Sequence, residues 1–259
     1  MTTADTSTAP VLAERRDGVL VITLNRPQAR NAVDAAVAQG VQAALDELDA
    51  DGDLRVGIVT GAGGYFCAGM DLKAFVRGES PRTERGFAGI CQRPADKPLI
   101  AAVEGFALAG GLEIALSCDL LVAARGARLG IPEVKRGLAA AAGGLLRLPK
   151  RIPYHVAMQM ALTGEPITAE RAYEVGLVVE LSDPGAALDT ALRLGAVIAA
   201  NGPLAVRVSK QIVRSAVDWA EPDAWQRQAE VVAPVFTSED AREGAVAFAE
   251  KRPPVWKGR

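Results

Sequence analysis

From the N-terminus to Ile131 the chain alternates short apolar runs with amphipathic stretches, and the spacing within each predicts its element. Val11 to Glu14 and Val19 to Leu24 are β-type runs separated by Arg15-Arg16-Asp17-Gly18. Asp-Gly between two such runs predicts a hairpin turn. From Asp34 to Asp49, Val37, Val41, Leu45 and Leu48 recur at helical spacing opposite charged positions, which predicts an amphipathic helix. Val56 to Thr60 and Leu99 to Val103 read as strands of the continuous apolar kind buried on both faces of a parallel sheet. Leu120 to Ala124 and Arg128 to Ile131 read as two more strands around the turn Arg125-Gly126-Ala127. Arg77 to Pro98 is polar, charged and bounded by prolines, and predicts a mobile surface segment with a short helix around Arg85 to Cys91.

Beyond Pro149 the β-type runs largely stop. Tyr154 to Leu162, Ala169 to Val175, Ala186 to Ala200, Leu204 to Val217, Ala224 to Val235 and Ser238 to Lys251 all carry helical periodicity. Pro203 marks one helix start and Ser238-Glu239-Asp240 supplies a cap with first-turn acid at another. The expected fold class is therefore α/β, followed by an all-helical C-terminal part. No repeat of 20 to 50 residues is visible by eye.

Composition narrows the class. The 259 residues are 49% apolar but only 5% aromatic, with 26 glycines, which describes a globule packed from small aliphatic side chains. A net charge of −2 and the lack of any Lys/Arg cluster interleaved with aromatics give no reason to expect nucleic acid or a membrane surface as partner. Cys67, Cys91 and Cys118 have no CxxC spacing, and His155 is the single histidine, so no metal site is expected from Cys and His. Met1 to Pro10 is Ser/Thr-rich without a basic start or an apolar core, and is expected to be a loose tail rather than a signal or anchor. The apolar region Leu99 to Ala124 is interrupted by Glu104, Glu113 and Asp119, unlike a membrane span, and the expected location is the cytoplasm.

Chemistry concentrates where Val103-Glu104-Gly105-Phe106-Ala107-Leu108-Ala109-Gly110-Gly111-Leu112-Glu113 turns from a strand through two glycines into a helix. Backbone N–H groups at such a junction can approach a negative oxygen, and the helix dipole adds to their pull. Glu113 lies in an apolar run, where a carboxylate is costly unless used or satisfied. A second glycine-rich strand-to-helix turn, Gly61 to Lys73, lacks Gly-Lys-Ser/Thr and the GxGxxG spacing, so it does not read as a nucleotide-phosphate loop. It repeats the same device, with Gly69-Met70 set between a strand and a helix. His155, in an amphipathic helix with no Gly-x-Ser-x-Gly elsewhere, reads as structural. Glu113 and Glu133 remain as a carboxylate pair able to divide acid and base tasks.

Taken together, these residues amount to a likeness. Phe66-Cys67-Ala68-Gly69-Met70-Asp71-Leu72-Lys73, Gly105 to Glu113, Pro132-Glu133 with Gly137 and Gly143-Gly144 behind it, and the ending Ala247-Phe248-Ala249-Glu250-Lys251-Arg252 resemble the crotonase (enoyl-CoA hydratase/isomerase) superfamily, from about Val11 to Trp256. The resemblance implies a right-handed ββα spiral core and C-terminal helices that assemble trimers, often stacked as hexamers. It divides the chain into a flexible tail over 1–10, a catalytic acyl-CoA-binding core over 11–200 and a helical trimerisation region over 201–259.

It also implies an enoyl-CoA hydratase, adding water reversibly to a 2-enoyl-CoA thioester, with coenzyme A as part of the substrate and no separate cofactor. The thioester oxygen would lie between the backbone N–H groups of Met70 and Gly110, with Glu113 activating water and Glu133 delivering a proton to the α-carbon. Arg26, Ala29, Ala68, Asp71, Leu72, Lys73 and Gly111 match the part of the family that holds the substrate and its adenine and phosphates. Lys251 would reach a neighbouring subunit's ligand. Two features depart from the pattern. Ala139 to Leu146 replaces the Pro-Gly-x-Gly-Gly-Thr-Gln run of many hydratases, and Met70 replaces a commoner alanine. Arg147-Leu148-Pro149-Lys150 is similar to carnitinyl-CoA dehydratases, which leaves that activity, isomerase or thioester hydrolase chemistry, and a catalytically silent acyl-CoA-binding scaffold open beside hydration.

Overall fold

A computed structural model describes residues 8–259; the expected tail over 1–10 lies, for 1–7, outside the described residues. The chain opens with the hairpin β1 (Val11–Arg16) and β2 (Val19–Leu24), joined by Asp17 and Gly18, both at positive φ as a two-residue Asp-Gly turn requires. Helix α1 (Ala35–Ala50) starts at Asp34, whose side chain accepts from the Val37 N–H, and buries Val37, Val41, Leu45 and Leu48. Strand β3 (Val56–Gly61) leads to the short helix α2 (Leu72–Val76). The hairpin β4 (Arg82–Thr83) and β5 (Gly86–Phe87) precedes β6 (Leu99–Val103) and β7 (Phe106–Leu108). Then come α3 (Gly110–Ala115), β8 (Leu120–Ala124), β9 (Arg128–Gly130), α4 (Gly144–Arg151) and α5 (Tyr154–Thr163). After β10 (Ile167–Thr168), α6 (Ala169–Glu174) and β11 (Glu180–Ser182), the chain ends in α7 (Ala187–Ala199), α8 (Pro203–Ala216), α9 (Glu221–Phe236) and α10 (Glu239–Glu250).

The main sheet has the order β1-β2-β3-β6-β8-β11, parallel except for the β1–β2 hairpin. Spatial order follows chain order, so each strand-helix unit adds at the same edge as the chain winds forward. A smaller sheet, β10-β9-β7, collects the second strand of successive units. β3 and β6 are buried nearly throughout, as strands covered on both faces must be. One core lies between the main sheet, α1 and α3; the other lies where α7 covers Val19, Val21, Val56, Ile58, Ile100 and Val122. The α/β-then-helical fold class thus holds, and no single helix among the described residues is long and apolar enough to cross a membrane.

The 77–98 segment differs from expectation. Residues 85–91 are buried and form no helix; Gly86, Ala88 and Gly89 all have positive φ, which forces turns. The Arg85 guanidinium is buried against Asp46 at 2.7 Å and Asp49 at 3.1 Å and donates to the Arg93 and Pro94 carbonyls. A polar sequence here marks a charged group satisfied inside the fold rather than a solvated surface. α4, β7, β10 and β11 are further elements that the apolar pattern did not reveal.

Candidate active site

Three chain segments run side by side to make the site. Phe66 and Cys67 donate to the Glu104 and Phe106 carbonyls while Cys67 accepts from the Leu108 N–H, which lays the 66–70 turn along β7. On the other side of β7, the Ala109 N–H donates to Gly130, bringing the chain that leads to Glu133 alongside. Gly111 has to be glycine, because a Cβ there would collide with the Cys67 carbonyl oxygen. At Gly69, φ +99°, an added Cβ would stand 3.0 Å from the Gly110 nitrogen, so the two turns touch. Ala109, at φ 52° and ψ −128°, holds a conformation costly for a residue with a Cβ, directly before Gly110.

Two backbone donors at this junction have nothing to bond. Among the described residues, neither the Met70 nor the Gly110 N–H donates to any protein acceptor, although the flanking Gly69 carbonyl and Asp71 N–H are both paired with Val33. Gly110 opens α3, where the first N–H groups of a helix have no intrahelical partner. The pair can serve as an anion-binding niche.

Glu113, one turn further along α3, is 3% exposed. Its Oε1 accepts from the Ala142 N–H at 2.7 Å and the Gly144 N–H at 2.9 Å. Burial pushes its carboxyl above the ordinary value; those two N–H groups and the nearby Arg147 and Arg82 charges counter the push. Glu133 sits in the 3-10 turn Pro132–Arg136. Its Oε2 is buried without a hydrogen-bond partner, and its carboxyl is pushed up by burial first and by the Glu113 charge besides. The backbone N–H of Glu133 counters that push by a hydrogen bond to its own carboxyl, so the two carboxyls sit in unlike environments: Glu113 accepts from two N–H groups of a distant loop, and Glu133 leaves its Oε2 without a donor.

The other expected residues have distinct settings. Arg26 donates to Asp71 at 3.0 Å and to the Ala32 carbonyl, and pairs with Asp34 at 3.0 Å, so it ties together the caps of α1 and α2. Burial pushes the Asp71 carboxyl up, but the Ala74 and Lys73 N–H groups and Arg26 outweigh it and hold the group below the ordinary range. Ala29 lies in the turn Pro27–Ala29, and the Ala68 N–H donates to Arg30. Leu72 and Lys73 are exposed on α2, beside that turn. Lys251 caps α10 in a left-handed conformation and is exposed; α10 packs on α9, not on the elements that carry the glutamates.

Four features of the site escaped the sequence reading. Asn31, fully buried at φ 55°, donates to the Ala62 and Tyr65 carbonyls and accepts from the Arg26 N–H, which shapes the first turn. Arg147 donates to the Cys91 carbonyl at 2.5 Å and to Ala142 at 3.4 Å, fixing the loop that holds Glu113. That loop's Ala142 N–H is itself a ligand of Glu113, and Phe87 packs its ring over Gly110. The one sequence signal near them is the neighbouring Gly143-Gly144 pair, which marks a close backbone approach and whose Gly144 N–H also donates to Glu113. Burial pushes the Cys67 thiol up to about 12, so it is no nucleophile near neutral pH.

Comparison with known proteins bears on the family and the fold. A family model described as enoyl-CoA hydratase/isomerase matches residues 14–259. The chain is 44% identical over 256 residues to enoyl-CoA hydratase EchA19 of Mycobacterium tuberculosis, covering 96% of each. It is 40% identical over 254 residues to a carnitinyl-CoA dehydratase of Salmonella agona, covering 95% of this chain and 97% of that one. Among solved structures, enoyl-CoA hydratase EchA1 of Mycobacterium marinum superposes with a TM-score of 0.96 at 58% identity, over 97% of this chain and 100% of the other. The chain belongs to the enoyl-CoA hydratase/isomerase family.

Proposed function

We propose that the protein is an enoyl-CoA hydratase that adds water reversibly across the double bond of a 2-enoyl-CoA. The observation that carries this reading is the pairing of two unengaged N–H donors, Met70 and Gly110, with two carboxyls in unlike environments, Glu113 buried and Glu133 half-buried. The donors would bind the thioester oxygen and strengthen their hold as it gains enolate charge, a task for which backbone dipoles are already oriented. Glu113, whose ionised form accepts two N–H bonds, takes a proton from water as the hydroxyl adds to C3. Glu133, whose burial and the neighbouring Glu113 charge favour the protonated form, gives its proton to C2. In dehydration the two exchange roles.

The substrate brings coenzyme A with it, so no separate cofactor enters this reading. Lys73, exposed beside the 26–30 turn, supports a phosphate-holding role on that side of the site, whereas Arg26 supports it only indirectly, through the turn it braces. Cytoplasmic location and assembly through the 201–259 helices belong to the same proposal. The test is hydration of crotonyl-CoA and longer enoyl-CoAs, followed by loss of the enoyl thioester absorbance, with carnitinyl-CoA included because of the similarity to carnitinyl-CoA dehydratases. Glu113→Gln and Glu133→Gln should each lower the rate by about 10²-fold or more while acyl-CoA still binds. Near-normal turnover in both variants would remove the glutamates from the mechanism.

A further inference from the structure

The hairpin that covers Gly110 carries a charge that acid–base chemistry does not require. Its register sets Arg82 opposite Phe87, and directly opposed residues of an antiparallel pair project from the same face. The Phe87 ring lies against Gly110, where an added Cβ would stand 2.6 Å from two ring carbons. Arg82 therefore leaves the hairpin on the side that faces the site. Arg85, three residues on, is buried between two aspartates. Arg82 is exposed and, among the described residues, makes no ion pair and no side-chain hydrogen bond.

Its charge nevertheless acts on Glu113 and on Cys91. Arg147 stands on the same side and donates to carbonyls, with no carboxylate partner among the described residues. Two guanidinium groups thus act on Glu113, a carboxyl that burial pushes toward its neutral form. Among the described residues, neither guanidinium is paired with a carboxylate.

We infer that Arg82 is a specificity-determining residue that favours thioesters whose acyl chain ends in a carboxylate and disfavours those ending in a quaternary ammonium. The inference rests on the hydratase reading in one respect. With the thioester oxygen at Met70 and Gly110 and C2–C3 between the glutamates, the acyl carbons beyond C3 are the part of the substrate that passes Glu113 toward the unpaired cation. Arg82 itself touches no reacting atom, so its influence belongs in the choice among acyl groups.

The experiment compares the intact protein with Arg82→Gln and Arg82→Glu. Calorimetry measures binding of butanoyl-CoA, 4-carboxybutanoyl-CoA, 6-carboxyhexanoyl-CoA and 4-trimethylammoniobutanoyl-CoA, and kcat/KM is measured on the corresponding 2-enoyl thioesters. Each value is expressed relative to the uncharged thioester on the same variant, so a general loss of stability or activity cancels. The parent should bind at least one carboxylate thioester about tenfold better than the ammonium one. Arg82→Gln should shrink that preference by about 3- to 5-fold, and Arg82→Glu should invert it. A preference absent from the parent, or retained in Arg82→Glu, overturns the proposal. So does an equal weakening of all thioesters in Arg82→Gln, which would assign the cation to the coenzyme A moiety. The binding ratios require no turnover, so a protein that hydrates nothing would refute the hydratase reading while the selectivity of Arg82 was still decided.

Discussion

Glu133 holds its Oε2 buried with no protein donor among the described residues, and that arrangement costs stability in proportion to its ionisation. In the unfolded chain the group titrates at the ordinary value of about 4.3. In the fold it is pushed up, by burial and then by Glu113, so the folded state holds its proton to higher pH. The stabilisation of the protonated form is fully present below the ordinary value and is lost as pH rises through the raised one. A glutamine at 133 never ionises and escapes that loss. Glu133→Gln should therefore melt above the parent at pH 8, by about 2–4 °C for each kcal/mol recovered, with the gap closing toward pH 4. Loss of activity coupled to gain of stability is the mark of a group retained for chemistry. A variant that melts below the parent at pH 8 would show that the carboxylate is satisfied after all. Glu113 differs because its Oε1 takes two N–H bonds, which a glutamine oxygen could also accept.

At the scale of elements, the proposed oxyanion niche depends on three pieces: the 66–70 turn, the start of α3, and the β4–β5 hairpin above them. Gly110→Pro removes one donor and should lower kcat by about 10²- to 10³-fold, with binding of a saturated acyl-CoA as the control for folding. Gly110→Ala keeps the N–H, and Gly110 lacks the positive φ that would strain an alanine. Its new methyl would, however, meet the Phe87 ring at 2.6 Å, so this variant too should be impaired. Combining it with Phe87→Leu should restore activity in part, since the obstacle is a ring and not backbone; no recovery in the double variant would mean that the methyl acts on the thioester directly. The sequence made the strand, the glycine pair and both glutamates legible, because the apolar runs and the Gly110-Gly111 turn are local signals. It hid Phe87 and Arg85, whose segment looks solvated from its charges and prolines. Burial there depends on Asp46 and Asp49, about forty positions away, and no local pattern encodes that pairing. Asn31 escaped for the same reason, since its partners are the distant Ala62 and Tyr65 carbonyls.

On the scale of the whole molecule, the C-terminal helices display more apolar surface than a lone chain accounts for. Trp225 is 77% exposed, Phe236 77% and Phe248 88%, while α9 buries no residue within the chain. Surfaces of this kind are normally covered by another protein surface. A second copy of this chain is the occupant that the proposed trimer requires, since closed cyclic assembly lets the same helices cover one another. Truncation after Ala200 should abolish assembly or solubility, but it removes internal ties as well. Lys210 on α8 bonds the Ala95 and Lys97 carbonyls and pairs with Asp119 at 2.8 Å, and the Trp256 indole donates to Ala200. A cleaner probe leaves those contacts intact. Trp225→Glu combined with Phe236→Glu places two charges on the exposed face of α9, where each would have to be desolvated if the face is an interface. By sedimentation, the parent should run as a trimer or a dimer of trimers and the double variant as a smaller, folded species with the circular dichroism of the parent. An unchanged sedimentation coefficient in the double variant would show that α9 faces solvent in the assembly, and a monomeric, fully active parent would show that the site is complete within one chain.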